Sequence, residues 1–227
     1  MKKKIVAFVV LLAVCASVVG GFLLWNGVQE PGGYSSERHR LFFESIQHIP
    51  DADRTAVTVN GEKITIGQIQ TQVLTNQFGI ESYKLDCAAK NETPDPEIIT
   101  GMTRTEQEIT DQLIRNLVIR QEAERLKLTA SRKEGKQRAE AALAEVQKSA
   151  AAGDAEAKES LARMADEMLS KGKTMAQWAD TMAESYQNNI TAGNLEAHYK
   201  KNTTDTILDY EAYVQNLIAK ADIRYMK

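Results

Sequence analysis

Asn60-Gly61 sits between two short runs of alternating polar and apolar residues, 56–59 and 62–66. A two-residue hairpin turn of type I′ needs positive φ at both central positions, which asparagine and glycine tolerate best. Val57 and Val59 then share one face of the first strand, and Ile64 and Ile66 one face of the second. A two-stranded hairpin is marginal in water and must be extended or covered by other parts of the chain. Whatever else the chain forms, it must supply that partner.

A single further strand signal exists. Ile223 and Tyr225 alternate with charged neighbours at the C-terminal end, so residues 223–226 read as one short strand. The economical solution pairs it with the hairpin in a three-stranded sheet. Everything between has helical spacing. Residues 67–78 carry Ile69, Val73 and Leu74 and end near Gly79, and residues 81–103 are irregular around Pro94, Pro96 and Gly101. Thr105-x-x-Glu108 and Ser131-x-x-Glu134 are capping boxes that open helices reaching about Lys127 and Ala150. Residues 155–170 form another helix, and Thr174-x-x-Gln177 opens one containing Trp178, Met182 and Tyr186. Gly193-Asn194 starts a short helix to about Lys201, and a last helix runs from about Thr206 to Ala221. The fold class is therefore mainly α, a multi-helix lobe with a small sheet.

The N-terminal end has a different character. Lys2, Lys3 and Lys4 precede an uncharged run over residues 5–25. As a helix those residues would reach about 31 Å, close to the thickness of a bilayer core. This favours a transmembrane signal-anchor within residues 1–28, with a cytoplasmic stub and the remainder outside. A cleaved signal peptide and a lipid-anchored form at Cys15 are the alternatives. Residues 29–53 form a tether broken by Pro31, Gly32 and Gly33, then a helix over residues 37–49 with Leu41, Phe42, Phe43, Ile46 and Ile49. That helix either lies on a membrane or partner, or packs on the domain that follows.

Composition removes several function classes. The 28 basic residues fall to 25 once the three N-terminal lysines are set aside, against 31 acidic ones. Such mild acidity argues against nucleic-acid binding. Beyond the apolar run Cys87 is the one cysteine, so neither an intramolecular disulfide nor a cysteine-based metal site is expected. His39, His48 and His198 lack metal-ligand spacing, and no phosphate-binding glycine loop or nucleophile motif occurs. No cofactor is expected.

Three segments resemble the N-terminal chaperone domain of the SurA, PrsA and trigger-factor-like foldases of the bacterial envelope. They are AVTVNGEKITIGQIQTQ from Ala56, ITDQLIRNLVIRQEAERLKLTAS from Ile109 and YEAYVQNLIAKADIRYMK from Tyr210. The likeness extends over residues 54–227. Many members of that family carry a parvulin prolyl isomerase domain before the closing helix. Here only the stretch 199–206 stands at the corresponding place, and a domain of roughly 90 residues does not fit there. His198 alone lies near the join. The resemblance thus implies a non-enzymatic chaperone lobe that holds unfolded or newly exported polypeptides, attached to the membrane through its N-terminal helix. A scaffold for one specific cell-envelope partner is the alternative. Met164, Met168, Trp178, Met182 and Tyr186 are the candidate polypeptide-binding residues, because flexible methionines beside aromatic rings suit promiscuous contacts. The competing reading of the same stripe is an irregular helical core.

Overall fold

The computed structural model describes residues 36–202 and 207–226. Its elements follow in the order α1 (Ser36–Gln47), β1 (Thr55–Val59), β2 (Glu62–Thr65), α2 (Ile66–Ala89), α3 (Pro96–Met102), α4 (Glu106–Arg125), α5 (Arg132–Ala151), α6 (Ala155–Ser170), a 3₁₀ turn (Met175–Gln177), α7 (Trp178–Asn202), α8 (Ile207–Lys220) and β3 (Ile223–Tyr225). The described residues are thus mainly helical with one small antiparallel sheet. The apolar run over residues 5–25, expected to be an anchor, lies outside them. Among the described residues no helix is long and apolar enough to cross a membrane.

The sheet is the expected clasp. Asn60 and Gly61 both have positive φ, 51° and 86°, as a type I′ turn requires. Strand β1 lies in the centre, with β2 on one side and β3 on the other, in the order β2-β1-β3. Val57 stands opposite Tyr225 and Val59 opposite Ile223. Val57, Val59 and Ile64 are buried against Ile69 of α2 and Ile109, Ile114 and Val118 of α4. Ile66 departs from the expected pattern, because the strand ends at Thr65 and Ile66 opens α2. A Cβ on Gly61 would meet nothing within 4 Å, so Gly61→Ala is expected to cost about 1 kcal/mol through backbone strain alone. Chemical denaturation would register this as a lower midpoint with an unchanged slope.

Two helix boundaries differ from the sequence expectation, for the same reason. Helix α2 runs through Gly79 to Ala89, and α7 runs unbroken through Gly193. An interior glycine costs a helix about 1 kcal/mol relative to alanine. That cost is outweighed where flanking residues bury. Phe78 packs on Phe42 of α1 with ring centroids 4.6 Å apart, and Thr191 and Leu195 around Gly193 are both buried.

Helix α1 packs on the domain that follows. Phe42 and Phe43 are buried, and the helix lies against α2 and α6. The Arg38 guanidinium sits 5.3 Å from the Phe78 ring centroid and donates to Ser82 Oγ at 3.1 Å. Lys171 on the far side places its Nζ 5.6 Å from the Phe43 ring.

Helix α4 is the spine. One face closes the sheet cluster, and another carries Ile119 and Ala123 into a second cluster with Leu195, Tyr210 and Val214. Beyond it α5, α6 and α7 enclose a third cluster. The α5–α7 crossing is close because small residues meet there: Gly135 and Ala139 face Ala179 and Ala183. Helix α7 also satisfies the backbone of the α4–α5 connection. Thr191 Oγ1 accepts from Ala130 N–H at 3.0 Å, while Gln187 and Asn194 side chains donate to the Ala130 and Leu128 carbonyls.

Candidate functional site

The five residues singled out in the sequence come together, and they do so as a core. Met164 and Met168 lie one turn apart on α6, and Trp178, Met182 and Tyr186 repeat every four residues along α7. All five are buried, Met168 at 0% and Trp178 at 1% exposure, and they close over Ala139 of α5. Trp178 and Tyr186 meet edge to face with centroids 6.3 Å apart. In this arrangement the stripe fills the space between three helices. The physical reason is the spacing itself, because positions i, i+4 and i+8 on one helix face a neighbouring helix as readily as they face a ligand.

A groove that the sequence did not single out is lined by other elements. It encloses about 700 Å³ between the α3–α4 junction, the outer face of α4, the end of α8 and β3. Ile114, Ile218, Ile223 and Tyr225 form its apolar lining. Its charged lining consists of Arg104, Glu108, Asp111 and Arg115. Tyr225 and the adjacent Met226 are large apolar side chains left 58% and 46% exposed. The groove combines elements more than 100 positions apart in the chain, so no local motif marks it. The one signal available beforehand was the place of β3 at the end of a three-stranded sheet, which leaves it an open edge.

Polar pairs hold the walls in place. Arg115 Nη2 donates to Glu211 Oε2 at 2.6 Å, tying α4 to α8 and holding the Glu211 carboxyl below the usual carboxylate range. On the turn side, Gln121 Nε2 donates to the Val59 carbonyl at 3.0 Å and to Glu62 Oε1 at 2.7 Å. Asn60 Nδ2 donates to Gln121 Oε1 at 2.7 Å, and Arg120 pairs with both Glu62 and Glu124. The hairpin is therefore fixed to α4 by side chains as well as by its apolar face.

Glu122 is the buried charge of this region. Arg125 Nε and Nη2 grip its carboxylate at 2.6 and 2.7 Å, and the Tyr213 hydroxyl donates to it. The Arg125 bonds hold the carboxyl below its ordinary value against the opposing effect of burial. Burial, with Glu122 adding to it, pushes the Tyr213 hydroxyl up to about 12. A carboxyl depressed in the folded state contributes stability that is present above its unfolded pKa of about 4.5 and is lost as pH falls through the folded value. Glu122→Gln is thus expected to cost about 1–2 kcal/mol at pH 7 and to flatten the fall in stability between about pH 5 and 3. Urea denaturation of both proteins across that range would test it, and parallel profiles would show that Glu122 does not carry the acid sensitivity.

Among the described residues no three His, Cys, Asp or Glu side chains are grouped so as to hold a metal ion. Cys87 is a buried thiol. The Thr100 and Thr103 hydroxyls in the groove donate to the Pro96 and Ile99 carbonyls, each at 2.8 Å. In comparisons with known proteins, no family model matches the chain and no curated protein or solved structure shows significant similarity to it.

Proposed function

We propose that this chain is a single-pass membrane protein of a bacterial envelope whose outer, mainly helical domain holds unfolded or newly exported polypeptides without catalysis. The observation that carries the reading is the pairing of β3 with β1, which closes the Asn60-Gly61 hairpin around an interval made of helices. That order of elements is what a foldase chaperone lobe without an isomerase insert calls for. The anchor rests on the uncharged run behind Lys2, Lys3 and Lys4.

The full chain in detergent micelles should slow the aggregation of a chemically unfolded client at stoichiometric ratios, followed by light scattering. No delay for any of several unrelated clients would end the reading. The second reading, a scaffold for one envelope partner, is favoured by the burial of Met164, Met168, Trp178, Met182 and Tyr186. Crosslinking in intact cells separates the two, since a scaffold yields one stoichiometric partner and a holding protein a broad set of exported chains.

A further inference from the structure

Strand β3 is an edge strand, and its two outer residues, Ile223 and Tyr225, line the groove. Two hydrogen bonds fix which backbone groups face which way. Asn60 N–H donates to the Asp222 carbonyl at 2.9 Å, and Met226 N–H donates to the Ala56 carbonyl at 2.8 Å. In an antiparallel pair the bonding alternates, so residues 222, 224 and 226 face β1. The N–H and C=O groups of Ile223 and Tyr225 therefore point away from the sheet. Among the described residues none of these four groups has a hydrogen-bond partner outside the strand ladder.

The groove beside that edge has the properties of a strand site. Its floor is apolar, from Ile114, Ile218 and Ile223, and its volume of about 700 Å³ lies in the range of ligand-binding clefts. Its wall is charge-balanced, with Arg104 and Arg115 against Glu108 and Asp111. A strongly acidic or basic segment would leave one sign unmatched, so the wall complements a segment with no net charge. The edge itself offers alternating N–H and C=O groups at strand spacing. Their partial charges are complementary to those of another extended backbone, as in strand addition. A lipid chain or a rigid small molecule would leave them unsatisfied.

We infer that the β3 edge takes up one extended, uncharged polypeptide segment as a fourth strand, with its alternate apolar side chains set into the groove. The inference rests on the holding function proposed above and gives that function a site. Three edge residues extend only about 10 Å, so each engagement is short and reversible.

The test uses the full chain in detergent micelles and a fluorescein-labelled heptapeptide of alternating valine and threonine, blocked at both ends. Tyr225→Pro removes an outward N–H without removing a bond to β1, a position where an edge strand tolerates proline. The wild-type chain should bind the peptide by fluorescence anisotropy. Tyr225→Pro, and N-methylation of alternate peptide amides, should each weaken binding at least tenfold. Saturating peptide should also slow hydrogen exchange at the Ile223 and Tyr225 amides. The site is wrong if the wild-type chain does not bind the peptide at millimolar concentration, or if the folded variant binds within twofold of wild type. It is equally wrong if exchange at those amides does not change, a readout that decides the matter even where the variant does not fold. Client aggregation separates the two proposals. If wild type and Tyr225→Pro protect a client equally, the strand site fails and the holding function stands; if wild type protects none, the holding function itself fails.

Discussion

Replacing Gly135 with alanine is expected to destabilise the domain by about 3 kcal/mol, the upper end of what overpacking a well-filled interior costs. A Cβ at that position would stand 2.1 Å from the Ala183 carbonyl oxygen and 2.7 Å from the Gln187 amide nitrogen. Both are backbone atoms of α7, so no rotamer change relieves the overlap and the two helices must separate. Separation would loosen the contact between Ala139 and the Trp178 cluster and pull Gln187 away from the Ala130 carbonyl. For a domain of this size the loss corresponds to a fall in Tm of roughly 6–12 °C. The control is Gly193→Ala on α7, the helix that Gly135 abuts, where an added Cβ meets nothing within 4 Å and φ is ordinary. There alanine should raise stability by up to about 1 kcal/mol. Equal effects of the two substitutions in thermal denaturation would contradict the close α5–α7 crossing.

Trp178→Ala is expected to cost about 3–5 kcal/mol, the range for truncating a large buried aromatic residue. Trp178 shares one core cluster with the methionines of α6 and Ala139 of α5 and meets the Tyr186 ring on its own helix, so its removal leaves a cavity in a core built from three helices. The measurement bears on function as well as on stability. A residue lining a solvent-facing cradle would lose client binding with little change in denaturation midpoint, whereas a core residue does the reverse. Retained midpoint with lost client protection would show that the α6–α7 stripe opens to solvent in the working protein.

The local parts of this fold were legible in the sequence to the extent that their signals were chemical. The Asn60-Gly61 turn, the Thr105/Glu108 and Ser131/Glu134 capping boxes and the Ile223–Tyr225 strand each depend on a few side chains bonding or orienting their own backbone. The helix breaks expected at Gly79 and Gly193 failed because a glycine lowers helix propensity by a small amount that buried neighbours override. The methionine–aromatic stripe was ambiguous in sequence for a geometric reason. Its spacing records that one helix face is apolar but not whether that face meets another helix or solvent. The groove was invisible because Arg104, Ile114, Ile218 and Tyr225 become neighbours only after β3 has closed on β1.

That closure has a kinetic side. Strand β1 finds β2 across a two-residue turn but finds β3 only across more than 160 positions of chain. The entropy of joining ends so far apart must be met before any ladder bond is returned. A hairpin is a microsecond event, so the first pairing precedes the second by a wide margin. Until residues 223–225 are available, β1 exposes an unpaired side flanked by the apolar Val57 and Val59. During synthesis the protein therefore passes through a stage in which it has an open strand edge of its own, the kind of surface on which chains aggregate.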